Sequence, residues 1–323
     1  MTQYPVLNAV SCERGLLIKD GVWRFEISDV EPKYVIFPSF FNAHTHIGDG
    51  FFEALPMPVE DLVGPGGLKH RMLESKGKDE IIESMRRGIE IILKTSSTSL
   101  DFREGGIEGY ELYRSADREG AIIALSRPKN DEEAEKLVEI SPGFNFSSVR
   151  DVEFSFLEFC RELAKKHKKI FAIHAGEKDG EDVEKAIALE PDFLIHMNMA
   201  EKRQLKMAMD LSIYIVSCMR SNAFFGLLNL ENYRILSDYE RWLIGTDNVM
   251  IASPSMLDEI KFSSYLVPPL KVFHAGTRNP FFESYTVARI ERIVDFENPI
   301  LSVVRRLESC DVVGVINERV VFE

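Results

Sequence analysis

Eight short, β-rich apolar runs separated by helical patterns constrain this chain more than any other feature of its sequence. They cover residues 34–37 leading into 42–46, then 97–102, 121–125, 138–146, 170–174, 193–196, 211–218 and 242–246. Between them apolar residues recur at three- and four-residue steps, as in Ile81, Ile82, Met85, Ile89 and Ile92, or Phe156, Cys160, Leu163 and Ala164. That spacing lines one face of a helix. Continuous apolar strands alternating with such helices form a parallel sheet covered by helices. Eight of them predict an α/β fold closed into a (β/α)8 TIM barrel. The fourth run is the least regular, because Pro142 and Gly143 interrupt it.

A barrel of this kind takes about 250 residues, and the chain has 323. The surplus lies at the ends. Residues 1–36 contain alternating strand patterns at 15–19 and 22–27, and residues 289–294, 311–316 and 319–322 read as strands and hairpins. Residues 1–36 and 283–323 are therefore expected to assemble one small, β-sandwich-like domain beside a barrel of residues 37–282.

The formal net charge is −13. Such a surface repels phosphate backbones, so no nucleic-acid partner is expected. Cys12, Cys160, Cys218 and Cys310 form no CxxC pair, which excludes a zinc ribbon and a disulfide framework and the deaminases that hold zinc with PCxxC cysteines. No apolar stretch approaches the roughly 18 residues that span a bilayer, and no leader pattern opens the chain. The expectation is a cytoplasmic protein with a small-molecule substrate, no membrane partner, and a homo-oligomer as one option.

Four of the seven histidines fall at strand ends. His44 and His46 are two residues apart, and positions i and i+2 of a strand share a face. His174 ends the fifth run, His196 the sixth, and Asp247 follows the eighth. The C-terminal ends of barrel strands form one rim, where active sites sit. Imidazoles and one carboxylate on that rim suit one divalent ion, Zn2+ first, with Fe2+ or Mn2+ as alternatives. A lone strand-end histidine is more often a hydrogen-bonded core residue; it is the combined pattern that points to a metal. His167 reads as solvated, and His70 and His274 stay unassigned.

The segment Phe37-Pro38-Ser39-Phe40-Phe41-Asn42-Ala43-His44-Thr45-His46 resembles the opening strand motif of the amidohydrolase superfamily. Ile173-His174-Ala175-Gly176-Glu177 resembles the fifth-strand motif of adenosine deaminase, and Leu194-Ile195-His196 the sixth. Ser217-Cys218-Met219-Arg220-Ser221-Asn222 and Leu243-Ile244-Gly245-Thr246-Asp247 resemble the seventh and eighth strand ends of the cytosine deaminase and chlorohydrolase branch. The resemblance spans nearly the whole chain. It implies a metal-dependent hydrolase of C–N, or sometimes C–halogen, bonds, with His44, His46, His174 and Asp247 as ligands and His196 beside the reacting water or substrate. It places Asn222 in the substrate region. No lysine ends the fourth run, which favours one metal over two; Lys129, after the third, is the residue to check. Pro38-Ser39 replaces the usual Pro-Gly, and Asp247-Asn248 replaces the paired aspartates of adenosine deaminase itself.

A divalent ion lowers the pKa of bound water toward 7. Asp247 can accept the water's proton, Glu177 can carry a proton to a ring or leaving nitrogen, and His196 can orient the reacting groups. The bland reading of Glu177 is a solvated loop acid. Hydrolytic deamination of a heterocyclic amine leads. The alternatives are hydrolysis of an amide, cyclic amide or C–Cl bond, and a catalytically silent barrel. Arg103, Arg127 and Arg220 near strand ends suggest an anionic substrate, since guanidinium forks match carboxylate and phosphate. Salt bridging to acids such as Glu104 is the competing reading. Phe51-Phe52, Phe224-Phe225 and Phe281-Phe282 could cover a planar ring, with core packing the commoner role.

Overall fold

The computed structural model describes residues 2–64 and 66–322. With strands numbered in chain order, β1 (Thr2–Asn8), β2 (Arg14–Asp20), β3 (Val22–Ile27), β4 (Tyr34–Pro38), β14 (Tyr285–Arg289), β15 (Val312–Ile316) and β16 (Val320–Phe322) form one sheet. Its order is β15-β14-β4-β1-β2-β3-β16. The remaining strands are β5 (Asn42–His46), β6 (Ser99–Arg103), β7 (Ile123–Ser126), β8 (Gly143–Phe146), β9 (Ile170–Ala175), β10 (Phe193–His196), β11 (Tyr214–Ser217), β12 (Trp242–Ile244) and β13 (Asp247–Asn248). They pair in parallel and in sequence from β5 to β12.

The eighth strand is split, and its second piece closes the ring. β13 returns to β5 in parallel, with Asp247 opposite Thr45 and Asn248 opposite His46. Two local features permit that closure. Asn42 clamps the seam from both sides of its amide, donating to Thr246 Oγ1 at 2.8 Å and accepting from the Thr246 backbone at 3.0 Å. Gly245 runs so close to β5 that a Cβ there would lie 2.6 Å from the His44 backbone nitrogen. The fold is thus a (β/α)8 barrel with a separate sheet drawn from both ends of the chain.

Strand alternation divides the core. Phe171 and Ile173 of β9 pack outward beneath the helices, while Ala172 joins Phe41, Leu100, Phe102, Leu125, Ile195, Val216 and Leu243 inside the barrel. Val6, Leu17, Phe25, Ile36 and Val287 form the core of the terminal sheet.

Several expected elements shift. Residues 34–37 do not lead the first barrel strand: β4 pairs with β1 and β14 in the terminal sheet. The run at 138–146 is strand only over Gly143–Phe146, because residues 131–140 are helix with Ala134, Leu137 and Val138 buried. Pro142 therefore separates helix from strand rather than interrupting a strand. Residues 211–218 hold a strand over Tyr214–Ser217 alone. Residues 290–292 form a single 3-10 turn, and a helix at Pro299–Arg306 buries Val303 and Val304. Its eight-residue stripe was masked in the sequence by the strand-like segments on either side.

Candidate active site

His44 and His46 do share a face, but strict alternation would turn that face outward. Phe41 and Ala43 already point into the barrel, so regular pleating would turn His44 outward. The β5–β6 register breaks between Asn42 and Thr45, an irregularity of the kind that re-aims side chains beside active sites. His174 needs no such device, since it follows the inward Ala172 by two. His196 and Asp247 are turned by left-handed backbone, with φ of 77° and 60°. His196 otherwise shares the outward parity of Leu194. Left-handed non-glycine residues are costly and collect at functional sites.

Four ligand atoms converge. His44 Nε2 lies 3.2 Å from His174 Nε2 and 3.2 Å from Asp247 Oδ1, and His46 Nε2 lies 3.6 Å from the same oxygen. All four groups' atoms fall within 4.8 Å of one another. Donors about 2.0–2.1 Å from a tetrahedral ion sit about 3.3 Å apart, so these separations match the edges of one coordination sphere. Protonation fits as well. Burial pushes all three imidazoles below the ordinary histidine range, His46 and His174 well below. Nδ1 of His174 faces the Phe146 carbonyl at 2.9 Å; donating there leaves a lone pair on the Nε2 that faces His44. Burial opposes ionisation of Asp247, but the His44 hydrogen bond and the neighbouring imidazoles outweigh it and hold the carboxyl well below its usual range. The donor set suits one divalent ion.

Glu177 lies above this cluster. Its Oε1 is 3.7 Å from His196 Nε2. Burial raises its carboxyl above the usual range; His196 opposes this, while Asp247 and Asp182 add to it. The turn that delivers it depends on Gly176, whose φ is +64° and whose backbone N–H donates to Asp182 Oδ1 at 2.9 Å. These groups border a cavity of about 490 Å3, with His46, His174, Glu177, His196 and Asp247 on its wall.

The expected arginine cluster does not form. Arg103 is buried away from the cavity, its guanidinium against Gly48 and Met85. Arg220 donates through Nε to Glu259 at 2.6 Å and through a terminal nitrogen to the Ser253 carbonyl at 2.8 Å. Glu259 is itself fully buried and accepts the backbone N–H groups of Met219 and Arg220, fixing the turn after β11. Asn222 is buried and donates to the Tyr233 hydroxyl. Of the four residues expected to bind substrate, only Arg127 lines the cavity, 3.4 Å from Glu104. Arg220→Met should therefore cost about 3–5 kcal/mol of stability by leaving a buried carboxylate alone, measured by urea unfolding, and should leave KM within about twofold.

Other expectations resolve individually. No lysine ends β8, which runs into Ser147 and Ser148, and Lys129 is exposed beyond β7. His70 lines the cavity, His167 faces Glu139 at 3.2 Å, and His274 is exposed. Phe225 borders the cavity, whereas Phe281 packs on Phe41 and Phe193 beside a different cleft.

Sequence reasoning gave no structural role to four participants, although Lys69 stood out as a basic residue of the long loop after the first barrel strand. Ser221 donates to Asp247 Oδ2 at 2.5 Å and so fixes the carboxylate from its other oxygen. Lys69, from the long segment after β5, is buried between Asp49 at 3.0 Å and Glu104 at 2.7 Å. Asp49 also accepts from Asn248 at 2.9 Å. Asp101 accepts from the Ile47 backbone at 2.8 Å, and burial pushes its carboxyl up to about 7. A folded-state value above the unfolded one means the native protein binds the extra proton, so this group costs stability increasingly as pH rises from about 4 to 7. Asp101→Asn lacks that cost; its Tm relative to the parent should rise between pH 5 and pH 8 in thermal scans.

Barrel and donor set together fit a (β/α)8 hydrolase with a candidate metal site. The chain belongs to the Amidohydrolase family, whose model matches residues 35–293, and is a hydrolase of carbon–nitrogen bonds. A protein of Archaeoglobus fulgidus with an aminohydrolase name is 43% identical over 90% of this chain and 89% of its own. A protein of Methanocaldococcus jannaschii is 31% identical, with 92% of each chain covered. Among solved structures, guanine deaminase from C. acetobutylicum superposes with a TM-score of 0.71 at 13% identity, covering 97% of this chain and 99% of that one. A zinc-bound adenosine deaminase from Xanthomonas campestris gives 0.70 at 13% identity, covering 98% and 92%. At such identities these two likenesses bear on the fold alone.

Proposed function

We propose that this protein hydrolytically deaminates a heterocyclic amine, using one divalent ion, Zn2+ by preference, held by His44, His46, His174 and Asp247. The observation that carries the reading is Glu177: a buried carboxyl, raised in pKa, 3.7 Å from His196 on the wall of the cavity that holds the ligand cluster. A bound divalent ion supplies Lewis acidity and makes water a better nucleophile near neutral pH. The protein's own groups do the rest. Asp247 takes the proton of the attacking water. Glu177, whose acid form burial favours, gives its proton to the ring nitrogen beside the attacked carbon; the proton taken by Asp247 passes to the departing amine, and the hydroxyl proton returns to Glu177 as the carbonyl forms. His196, facing Glu177, orients the group that develops charge.

Ammonia release from a panel of amino-substituted pterins, purines, pyrimidines and guanidino compounds tests this. Release from at least one ring at a rate abolished by chelation is the expected result. Hydrolysis confined to amides, cyclic amides or chloro-substituted rings would replace the deaminase reading while leaving the site intact.

A further inference from the structure

Among the carboxylates of the cavity wall that the chemistry above does not use, Glu104 stands out for its fixed position. Glu104 follows β6 and lines the cavity together with His46. Both of its ion pairs run through one oxygen: Lys69 Nζ meets Oε1 at 2.7 Å, and Arg127 meets the same atom at 3.4 Å. Lys69 is buried, and Asp49 fixes it from the other side at 3.0 Å. The pair is thus a clamp on one carboxylate oxygen, while no described residue donates a hydrogen bond to the other.

The remaining cations of the wall are matched in the same manner. Lys178 pairs with Glu60 and Arg150 with Asp179. Each lysine and arginine of the cavity wall has an acid beside it, so a carboxylate or phosphate on the substrate would have to compete with that acid for the cation. What the wall offers instead is an oriented carboxylate acceptor. Its natural complement is a substrate N–H, because a hydrogen bond to an ionised acceptor contributes about 1.5–3 kcal/mol, more than a neutral pair.

We propose that Glu104 is the specificity-determining residue of this cavity, its clamped carboxylate accepting a ring or amino N–H from a neutral, donor-bearing heterocycle. This rests on the heterocyclic-amine reading for the substrate class, and it replaces the anionic substrate suggested by Arg103, Arg127 and Arg220. Arg127 then serves as a positioning residue for Glu104.

Matched ligand pairs provide the test. Each pair is an amino-substituted purine, pyrimidine or pterin with a ring N–H and the same ring carrying C–H at that place. Affinity for the metal-loaded, full-length protein is read by calorimetry. The parent protein should bind the N–H member of at least one pair about tenfold or more tightly, the equivalent of one such hydrogen bond. Glu104→Gln, with its metal content checked, should reduce that preference to within about threefold. Equal binding of both members by the parent protein, or no binding of any ring, overturns the proposal even if the variant fails to fold. A folded, metal-loaded Glu104→Gln that keeps the full preference also overturns it. Ammonia is measured in parallel. Selective binding without release refutes the deaminase reading and leaves Glu104 standing; release without donor preference does the reverse.

Discussion

Asp247→Ala should leave the protein nearly free of divalent metal, below about a tenth of an ion per chain against about one in the parent, with turnover lost by about 10³-fold or more. Asp247 is the anionic member of a set whose other donors are neutral imidazoles, two of them held well below the ordinary histidine range by burial. Its removal leaves the cation without charge compensation in a buried site. It also deprives Ser221 of its 2.5 Å acceptor. His174→Ala should act similarly. Elemental analysis after exhaustive dialysis decides the point, and stoichiometric metal in both variants would sink the ligand assignment. A pH arm follows from the same shifts. Ligation needs neutral imidazole. His46 and His174 resist protonation, so metal affinity should change less than about threefold between pH 8 and 6.5, where an ordinary histidine set would already lose affinity.

The two strand-level regularities that a sequence exposes are apolar alternation and the spacing of polar residues at strand ends. Both served the barrel well. His174 was legible because Ala172 and His174 follow the pleat without interruption. His196 was not legible by periodicity, since its parity is that of Leu194; its strand-end position and its local motif indicated it, and a φ of 77° is what brings it inward. Of the clamp on Glu104, the arginine pairing was the competing reading of the sequence, and the Lys69 half lay beyond reach. Lys69 arrives from a helix in the segment between β5 and β6, and no local rule states where such a side chain will be buried.

The arginines were misjudged for a related reason. A basic residue after a strand looks the same in sequence whether it faces the cavity or a buried acid. Glu259 lies 39 positions beyond Arg220, on a later helix, and only the folded barrel brings the two to 2.6 Å. Composition misled in the same direction: against a net charge of −13 the strand-end arginines stood out as available for substrate. Acids occupy Arg220 and Arg127, while Arg103 is buried against Gly48 and Met85.

Glu177→Gln isolates the proton transfer from everything else at the site. Glutamine preserves the volume of the side chain and its reach toward His196, 3.7 Å away in the parent. The four metal donors are untouched, so metal content should stay near one ion per chain. A glutamine can still donate a hydrogen bond, but it cannot deliver a proton and recover it. On the best substrate, kcat should fall by about 10²-fold or more, the contribution expected of a positioned general acid, while KM changes far less. The pH profile adds a second readout. Burial raises Glu177 above the usual carboxylate range, so its acid form persists to higher pH than that of a free glutamate. Activity that requires this form is full below the raised pKa and declines as pH rises through it. The parent enzyme should therefore show a descending limb in kcat/KM on the alkaline side, and the residual activity of Glu177→Gln should lack it. Near-parent turnover in a metal-loaded Glu177→Gln would return this residue to the role of a loop acid and move the proton transfer to Asp247 and His196.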